Sequence, residues 1–336
     1  MSESLNIDFE VPEHLINHYY VSGTIALLLN LLVIYLLLFQ SGKLDNFRFY
    51  LLAFQVSCTA SDVNIAFLFQ PIPLFPLFSG YGHGFMSRWF GWSTHTLFTL
   101  FTLLLSGQIE VLTICFLRKY KAIMQLKTLS NPSSSLTYII IYHLCMSYSL
   151  AITLAWYFSE TSKEDQWKLI SQDHPSLVPK YQQLNEFYYT YFNSAYIFII
   201  FLVLTAAGTL KTIIVISLLV LRMFKVLSDV KSRLSKGTLS RHKVALRSLI
   251  MQFMTTPISF LPPFMLVVVA LFPTSYSQAI SQGSFMVSTT HSIINSLVVL
   301  TTYPEFRKIL MFWRKKDARR IPTLLSSVRP TASPRN

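Results

Sequence analysis

The sequence predicts an all-α fold: a bundle of seven membrane-spanning helices, N-terminus outside, C-terminus inside, with a short cytoplasmic amphipathic helix after the seventh span. Three observations predict it. Apolar residues make up 52% of the 336 residues and charged residues only 13%, about half the charged share of a soluble domain. Seven apolar runs are each long enough for the roughly 20 helical residues that cross about 30 Å of hydrocarbon: residues 19–39, 49–70, 93–117, 136–158, 191–221, 244–272 and 282–303. The connecting segments and tail on one side hold twenty-two Lys and Arg, those on the other only Arg88, Lys163, Lys168 and Lys180. Positive residues stay in the cytoplasm, which fixes the orientation. The same bias accounts for most of the +13 charge without any nucleic-acid partner.

Residues 1–18 carry four acids, no Lys or Arg and no apolar stretch, so they read as an extracellular N-terminus rather than a cleavable signal peptide. The first run carries Asn30 near its middle, the second Asp62. Pro71-Ile72-Pro73-Leu74-Phe75-Pro76 ends the second run, because proline cannot continue a regular helix. The glycines of Gly80-Tyr81-Gly82-His83-Gly84 superficially match a phosphate-binding motif, but they follow a membrane helix rather than a strand, which excludes that chemistry. Glu110 lies toward the inner end of the third run, where a structural ion pair with an inner-face cation such as Arg247 is expected. Residues 159–190 read as a longer polar outer loop. The fifth and sixth runs exceed one span and are expected to extend into the cytoplasm, tilt or bend. Lys211 in the fifth is expected to reach the interface with its ammonium.

Pro257, Pro262 and Pro263 interrupt the sixth run, each removing a backbone donor. A single proline makes a static kink; three within seven residues, beside a basic inner segment, predict a helix whose inner half swings. The seventh run holds His291 and Asn295 and stops at Pro304. Phe306, Ile309, Leu310 and Trp313 then recur at helical spacing among Arg307, Lys308, Arg314, Lys315 and Lys316. Residues 304–316 therefore predict a helix along an anionic membrane surface. Residues 317–336, rich in Pro, Ser, Thr and Arg, predict a disordered tail.

Polar and ionisable groups inside a span are costly and are candidate functional residues. Asp62, Asn30, His291 and Asn295 are expected to form a hydrogen-bonded, ion-binding or ligand-binding cluster across three helices; the alternative is that they only join the helices. His83 and His95 are single imidazoles expected to find local partners. No nucleophile elbow, H-E-x-x-H or pair of facing aspartates occurs. Cys58, Cys115 and Cys145 all lie in apolar runs without disulfide or metal-site spacing. The expectation is a non-enzyme without metal or cofactor.

Several segments together resemble a known family. Val11-Pro12-Glu13-His14, Asn30-Leu31-Leu32-Val33-Ile34-Tyr35, Leu38-Phe39-Gln40 with Lys43-Leu44-Asp45-Asn46-Phe47-Arg48, Gln70-Pro71-Ile72-Pro73, Cys115-Phe116-Leu117-Arg118-Lys119 and Pro304-Glu305-Phe306-Arg307 resemble the nematode serpentine chemoreceptors of class I, which sit beside class H in the Str group. That resemblance covers nearly the whole chain. It implies a G-protein-coupled receptor that binds a small external chemical, odorant or pheromone-like, in the plasma membrane of sensory neurons at the cilium. Its partners would be that ligand, a heterotrimeric G protein and the bilayer. Candidates for meeting the G protein are Arg118, Lys119 and Tyr120 at the inner end of the third span, and Arg241, Lys243 and Arg247 at the start of the sixth. Such residues also hold loops against anionic lipid, at roughly 1 kcal/mol each.

The wider rhodopsin-like group has Asp-Arg-Tyr-x-Ala-Ile where this chain has Arg118-Lys119-Tyr120-Lys121-Ala122-Ile123. Asn295 falls where its Asn-Pro-x-x-Tyr begins, with Ser296 and Val299 in place of the proline and tyrosine. Two other classes are weighed against the receptor. An odorant-gated cation channel of the seven-span insect kind would have its C-terminus outside, opposed by the twenty-two cations on that side. A small-molecule transporter would usually show paired broken helices from an internal repeat, and no repeat joins the two halves. The chain has no Asn-x-Ser/Thr glycosylation acceptor. An acceptor introduced between residues 159 and 190 should therefore be glycosylated, and one introduced between 231 and 236 should not; a gel shift of the second alone would reverse the topology.

Overall fold

The computed structural model describes residues 7–40, 46–127, 135–190 and 196–309, and in them seven helices are long and apolar enough to cross a membrane. The first is α1 (Glu13–Phe39). Its inward face carries Ser22, Ala26, Asn30, Val33 and Leu37, spaced three and four apart, while Leu28, Leu31 and Tyr35 stay exposed. That is the pattern of a helix with lipid on one side and a bundle on the other, all backbone groups being bonded within the helix.

The second span is α2 (Phe47–Val63), which widens into a π-helical turn at Asn64–Phe69. Gln70 then adopts a left-handed conformation, φ 46°, and turns the chain into β1 (Pro71–Pro73). β1 pairs antiparallel with β2 (Ser79–Gly82), Ile72 opposite Tyr81, and β2 pairs with β3 (Tyr188–Tyr189), Gly80 opposite Tyr188. Two prolines in β1 are tolerated because it is an edge strand with one neighbour.

The 159–190 stretch is more than the polar loop its composition suggests. It folds into α6 (Lys163–Asp173), α7 (Val178–Tyr181) and the strand β3. Ser162 caps α6 by accepting from Asp165 N at 3.1 Å. Tyr181 donates to Ser79 Oγ at 2.8 Å and Tyr19 of α1 donates to Pro71 O at 2.9 Å, so the sheet is bonded to elements on both sides. Ile170, Leu177, Tyr181 and Phe187 share one apolar core with Leu15, Tyr19 and Phe69. The result is a folded cap over one pole of the bundle. Between β2 and the third span runs the short α3 (Phe85–Phe90).

The remaining spans are α4 (Thr94–Lys127), α5 (Ser135–Tyr157) and α8 (Tyr196–Asp229), followed by two broken ones. α4 outlasts its apolar run, so Arg118, Lys119 and Tyr120 lie within the helix, about two turns before its end. The sixth span is α9 (Lys236–Thr255) and α10 (Leu261–Leu271), joined through a 3₁₀ turn at Thr256–Ile258. Pro257 lies in that turn, and Pro262 and Pro263 open α10, where missing amides break no helical bond. The seventh is α11 (Ser277–Thr289) and α12 (His291–Thr302), meeting at Thr290. After Tyr303, residues 304–309 are helical again, with Phe306 fully buried and its ring 5.5 Å from that of Tyr303. The rest of the expected surface helix, 310–316, and the tail 317–336 lie outside the described residues.

The two larger apolar cores lie at the capped pole around Tyr19, Phe69 and Tyr181 and at the basic pole around Phe54, Phe116, Met223 and Leu249, with a smaller one around Trp156 and Phe198. Gly84 sits where the cap rejoins the bundle; a Cβ there would lie 2.3 Å from Leu68 O. Backbone cannot yield as a flexible side chain does, and overpacking costs about 1–3 kcal/mol. Gly84→Ala should therefore lower the thermal unfolding midpoint of the purified protein by several degrees, and an unchanged midpoint would show that the cap is not seated as described.

Candidate functional site

Between the two cores lies a polar layer centred on Asn30, whose side chain is fully buried. Its Nδ2 donates to Asp62 Oδ2 at 2.7 Å and to Ser292 Oγ at 3.0 Å. Its Oδ1 accepts from Gln55 Nε2 at 2.7 Å and from Ser296 Oγ at 2.6 Å. Gln55 also donates to Ser296 Oγ at 2.9 Å. One amide thus joins α1, α2 and α12. Asp62 is half-buried and, among the described residues, has no cation within ion-pair distance. A carboxylate met only by neutral donors can take up a proton or share a cation; either alters the charge held between three helices.

The quartet expected from the sequence is divided. Asn30 and Asp62 meet. Asn295 turns instead toward Cys58, Nδ2 to Sγ 3.8 Å, and its buried Oδ1 has no partner among the described residues. His291 is buried beside them, and its Nε2 makes no hydrogen bond there either. Gln55, Ser292 and Ser296 complete the layer in their place. Their signal was spacing: Gln55 and Asp62 are seven apart, Ser292 and Ser296 four apart, so each pair shares one helical face.

Glu110 and Lys211 form a second polar feature, on α4 and α8. Lys211 donates to Glu110 Oε1, and its Nζ also lies 4.4 Å from the centre of the Tyr148 ring on α5. This corrects two expectations. Arg247 is not the partner of Glu110, and Lys211 does not reach for the interface but bonds the carboxylate on the neighbouring helix. Glu110 is 3% exposed.

Under the cap, α4, α5, α8, α10 and α11 line a partly open cavity of about 80 Å³. Its wall holds no charged side chain. Trp156 is its centrepiece, with ring centroids 4.6 Å from Phe98, 5.1 Å from Phe201 and 5.1 Å from His95, which stacks on it. Pro262 and Pro263 at the break of the sixth span contribute to the same wall, as do Ser281 and Ser284 of α11. Thr94 also lines the cavity, and its buried hydroxyl has no partner among the described residues. Composition could not reveal this site, since 15% aromatic residues equally suits rings that face lipid. In the cap, outside the spans, burial and then Asp8 push the Tyr81 hydroxyl up to about 12. Burial and then the Arg88 cation hold the His83 imidazole below its ordinary value.

At the basic pole the six candidate residues do not converge on one point. Arg118 lies over the Tyr50 ring at 5.5 Å, and Lys119, 7% exposed, over Phe47 at 4.9 Å, both against the start of α2. Tyr120 packs on the nearby core. Arg241, Lys243 and Arg247 are exposed on α9; the last two flank a groove toward α8 with Lys231, Phe224 and Met251. Among the described residues no cluster of His, Cys, Asp or Glu is fit to hold a metal.

Asn30→Ala takes one donor from Asp62 and an acceptor from both Gln55 and Ser296, and each buried hydrogen bond lost costs about 0.5–1.5 kcal/mol. Its unfolding midpoint should fall clearly further than that of Asn295→Ala in parallel melts; equal shifts would remove Asn30 from the centre of the layer.

No curated protein matches the chain. Among solved structures, squid rhodopsin superposes with a TM-score of 0.58 at 14% identity, covering 96% of this chain and 89% of that one. The likeness extends to the whole seven-helix arrangement. The family model for the serpentine type seven-transmembrane GPCR chemoreceptor Sri matches residues 5–310. A capped bundle of seven apolar helices, matched by that model over nearly its full length, makes this multi-pass membrane protein a member of the Sri family of serpentine chemoreceptors.

Proposed function

We propose that the protein is a chemosensory receptor, of the nematode class I group, that binds a small, largely apolar external chemical beneath the cap and activates a heterotrimeric G protein at the basic pole. The observation that carries this reading is the composition of the capped cavity: aromatic, free of charge and walled partly by Pro262 and Pro263. A ligand filling it touches the two prolines where the sixth span breaks. It can favour an outward-swung α9 only by binding that state better than the other. In this reading Pro257, Pro262 and Pro263 are the hinge. Asp62, Asn30, His291 and Asn295 lie in or beside the polar layer through which α12 follows the movement.

The charge asymmetry supports residues 1–18 and the cap outside and residues 304–336 inside, in the plasma membrane and, following the motif resemblance, at the sensory cilium. Arg241, Lys243 and Arg247 are assigned to the G protein as exposed contacts, with Arg118, Lys119 and Tyr120 behind them on α4.

The reading is tested by a panel of small neutral odorants applied to cells that express the receptor with a Gα subunit, read by calcium or cyclic nucleotide. At least one compound should activate, and Trp156→Ala should raise its half-maximal concentration tenfold or more at equal surface density. A response untouched by Trp156→Ala would move the ligand elsewhere, and silence across the panel would count against the receptor itself.

A further inference from the structure

Below the capped cavity lies a second one, of about 60 Å³ by the same measure, between α4, α5, α8 and the start of α10. The two share Phe98 and Pro263 as wall residues. Its upper wall is aromatic, with Phe98, Phe101, Phe201 and Phe260, and its polar end is Glu110. Glu110 lies twelve residues beyond Phe98 on α4, about 18 Å along the helix at 1.5 Å per residue.

The polar groups of this cavity are of one kind. Thr102 gives its proton to Phe98 O, Ser106 to Thr102 O, Thr205 to Phe201 O, Thr209 to Thr205 O and Tyr148 to Leu204 O. Ser106 also meets Ser149 Oγ at 2.6 Å, either hydroxyl donating; the other four give their protons to backbone carbonyls and are left with acceptor lone pairs. Glu110 adds a stronger acceptor. Its Oε1 accepts a hydrogen bond from Lys211 Nζ, while its buried Oε2 has no hydrogen-bond partner of ordinary geometry among the described residues. The Cys145 thiol is close enough to hydrogen-bond the Glu110 carboxylate, but a thiol is a weak donor that a ligand hydroxyl or ammonium outcompetes. Lys211 approaches the carboxylate from outside the cavity wall, its side chain 34% exposed. Tyr148 can lie across α8 at this level because Gly208 has no side chain; a Cβ there would come 2.5 Å from the Tyr148 ring.

A wall of acceptors around a carboxylate oxygen matches a ligand that brings its own donor. We infer that the inner cavity is a ligand subsite for a hydrogen-bond donor, a hydroxyl or an ammonium group, that bonds Glu110 Oε2 while the ligand's apolar body lies upward against Phe101 and Phe98. Ethers, esters and ketones, which bring only acceptors, leave Oε2 orphaned and are rejected. A site built to bond a polar group discriminates sharply against the analogue without it. This deepens the receptor reading and rests on it for the ligand's origin, though binding itself is measured apart from signalling.

The test uses the purified full-length receptor in nanodiscs and a set of aryl- and alkyl-alkanols, 4-phenylbutan-1-ol among them, each with its O-methyl ether and the corresponding primary amine. Ligand-induced thermal shifts give apparent affinities. At least one alcohol or amine should bind tenfold or more tightly than its ether, and comparison of the two arms separates hydroxyl from ammonium. Glu110→Gln should abolish or invert the preference, because the amide keeps its oxygen on Lys211 and turns an N–H donor into the cavity. Should that variant fail to fold with Lys211 left unpaired, Glu110→Gln combined with Lys211→Met removes both charges together and should likewise bind alcohol and ether alike. Ethers that equal their alcohols, a preference that survives both variants, or a set in which nothing binds would overturn the subsite and leave Glu110 as a structural ion pair served by water. Selective binding without any G-protein response would instead keep the subsite and count against the receptor reading.

Discussion

Within a bilayer a side-chain amide or carboxylate has no water to turn to, so its bonding must be completed by other parts of the chain. Asn30 does this for three helices at once. Its amine side meets Asp62, its carbonyl side meets Gln55 and Ser296, and Ser292 lies within reach of both. The apolar cores above and below are not specific in this way, because Leu against Leu can slide by a turn at small cost. Helix association in lipid lacks the water-driven term that holds soluble cores together. The register of α1 against α2 and α12 is therefore set by this polar layer.

The seven spans and their number were legible because a membrane helix announces itself by length and hydropathy alone. The proline break of the sixth span was equally legible, since Pro257, Pro262 and Pro263 each lack an amide proton wherever they stand. The breaks without proline were not: nothing in Ser288-Thr289-Thr290-His291 marks the junction of α11 and α12. The cap was hidden for a related reason. β1, β2 and β3 together involve only nine residues, and the pairing of β2 with β3 joins positions more than a hundred residues apart, which no local pattern records.

The candidate sites divide along the same line. Asn30 and Asp62 stood out as isolated polar residues in apolar runs, and they do meet. Gln55, Ser292 and Ser296 are polar residues of kinds that helices often carry, so only their common face distinguished them. Glu110 and Lys211 were both visible, but they were matched to an inner-face cation such as Arg247 and to a headgroup, instead of to each other across 101 positions. The aromatic wall around Trp156 was invisible in composition. A ring facing lipid and a ring facing a cavity are the same letter, and only the packing of α4, α5 and α8 tells them apart.

The Glu110–Lys211 pair also bears on how the chain enters the membrane. A lysine near the centre of an inserting helix costs roughly 2.5–3.5 kcal/mol on its own, and Lys211 stands sixteenth in the 34 residues of α8. Synthesis runs from the N-terminus, so α4 is already in place, with its carboxylate waiting, when α8 emerges. The order of the spans in the gene thus supplies the acceptor before the donor, and α8 settles against a neighbour that is ready to receive its charge.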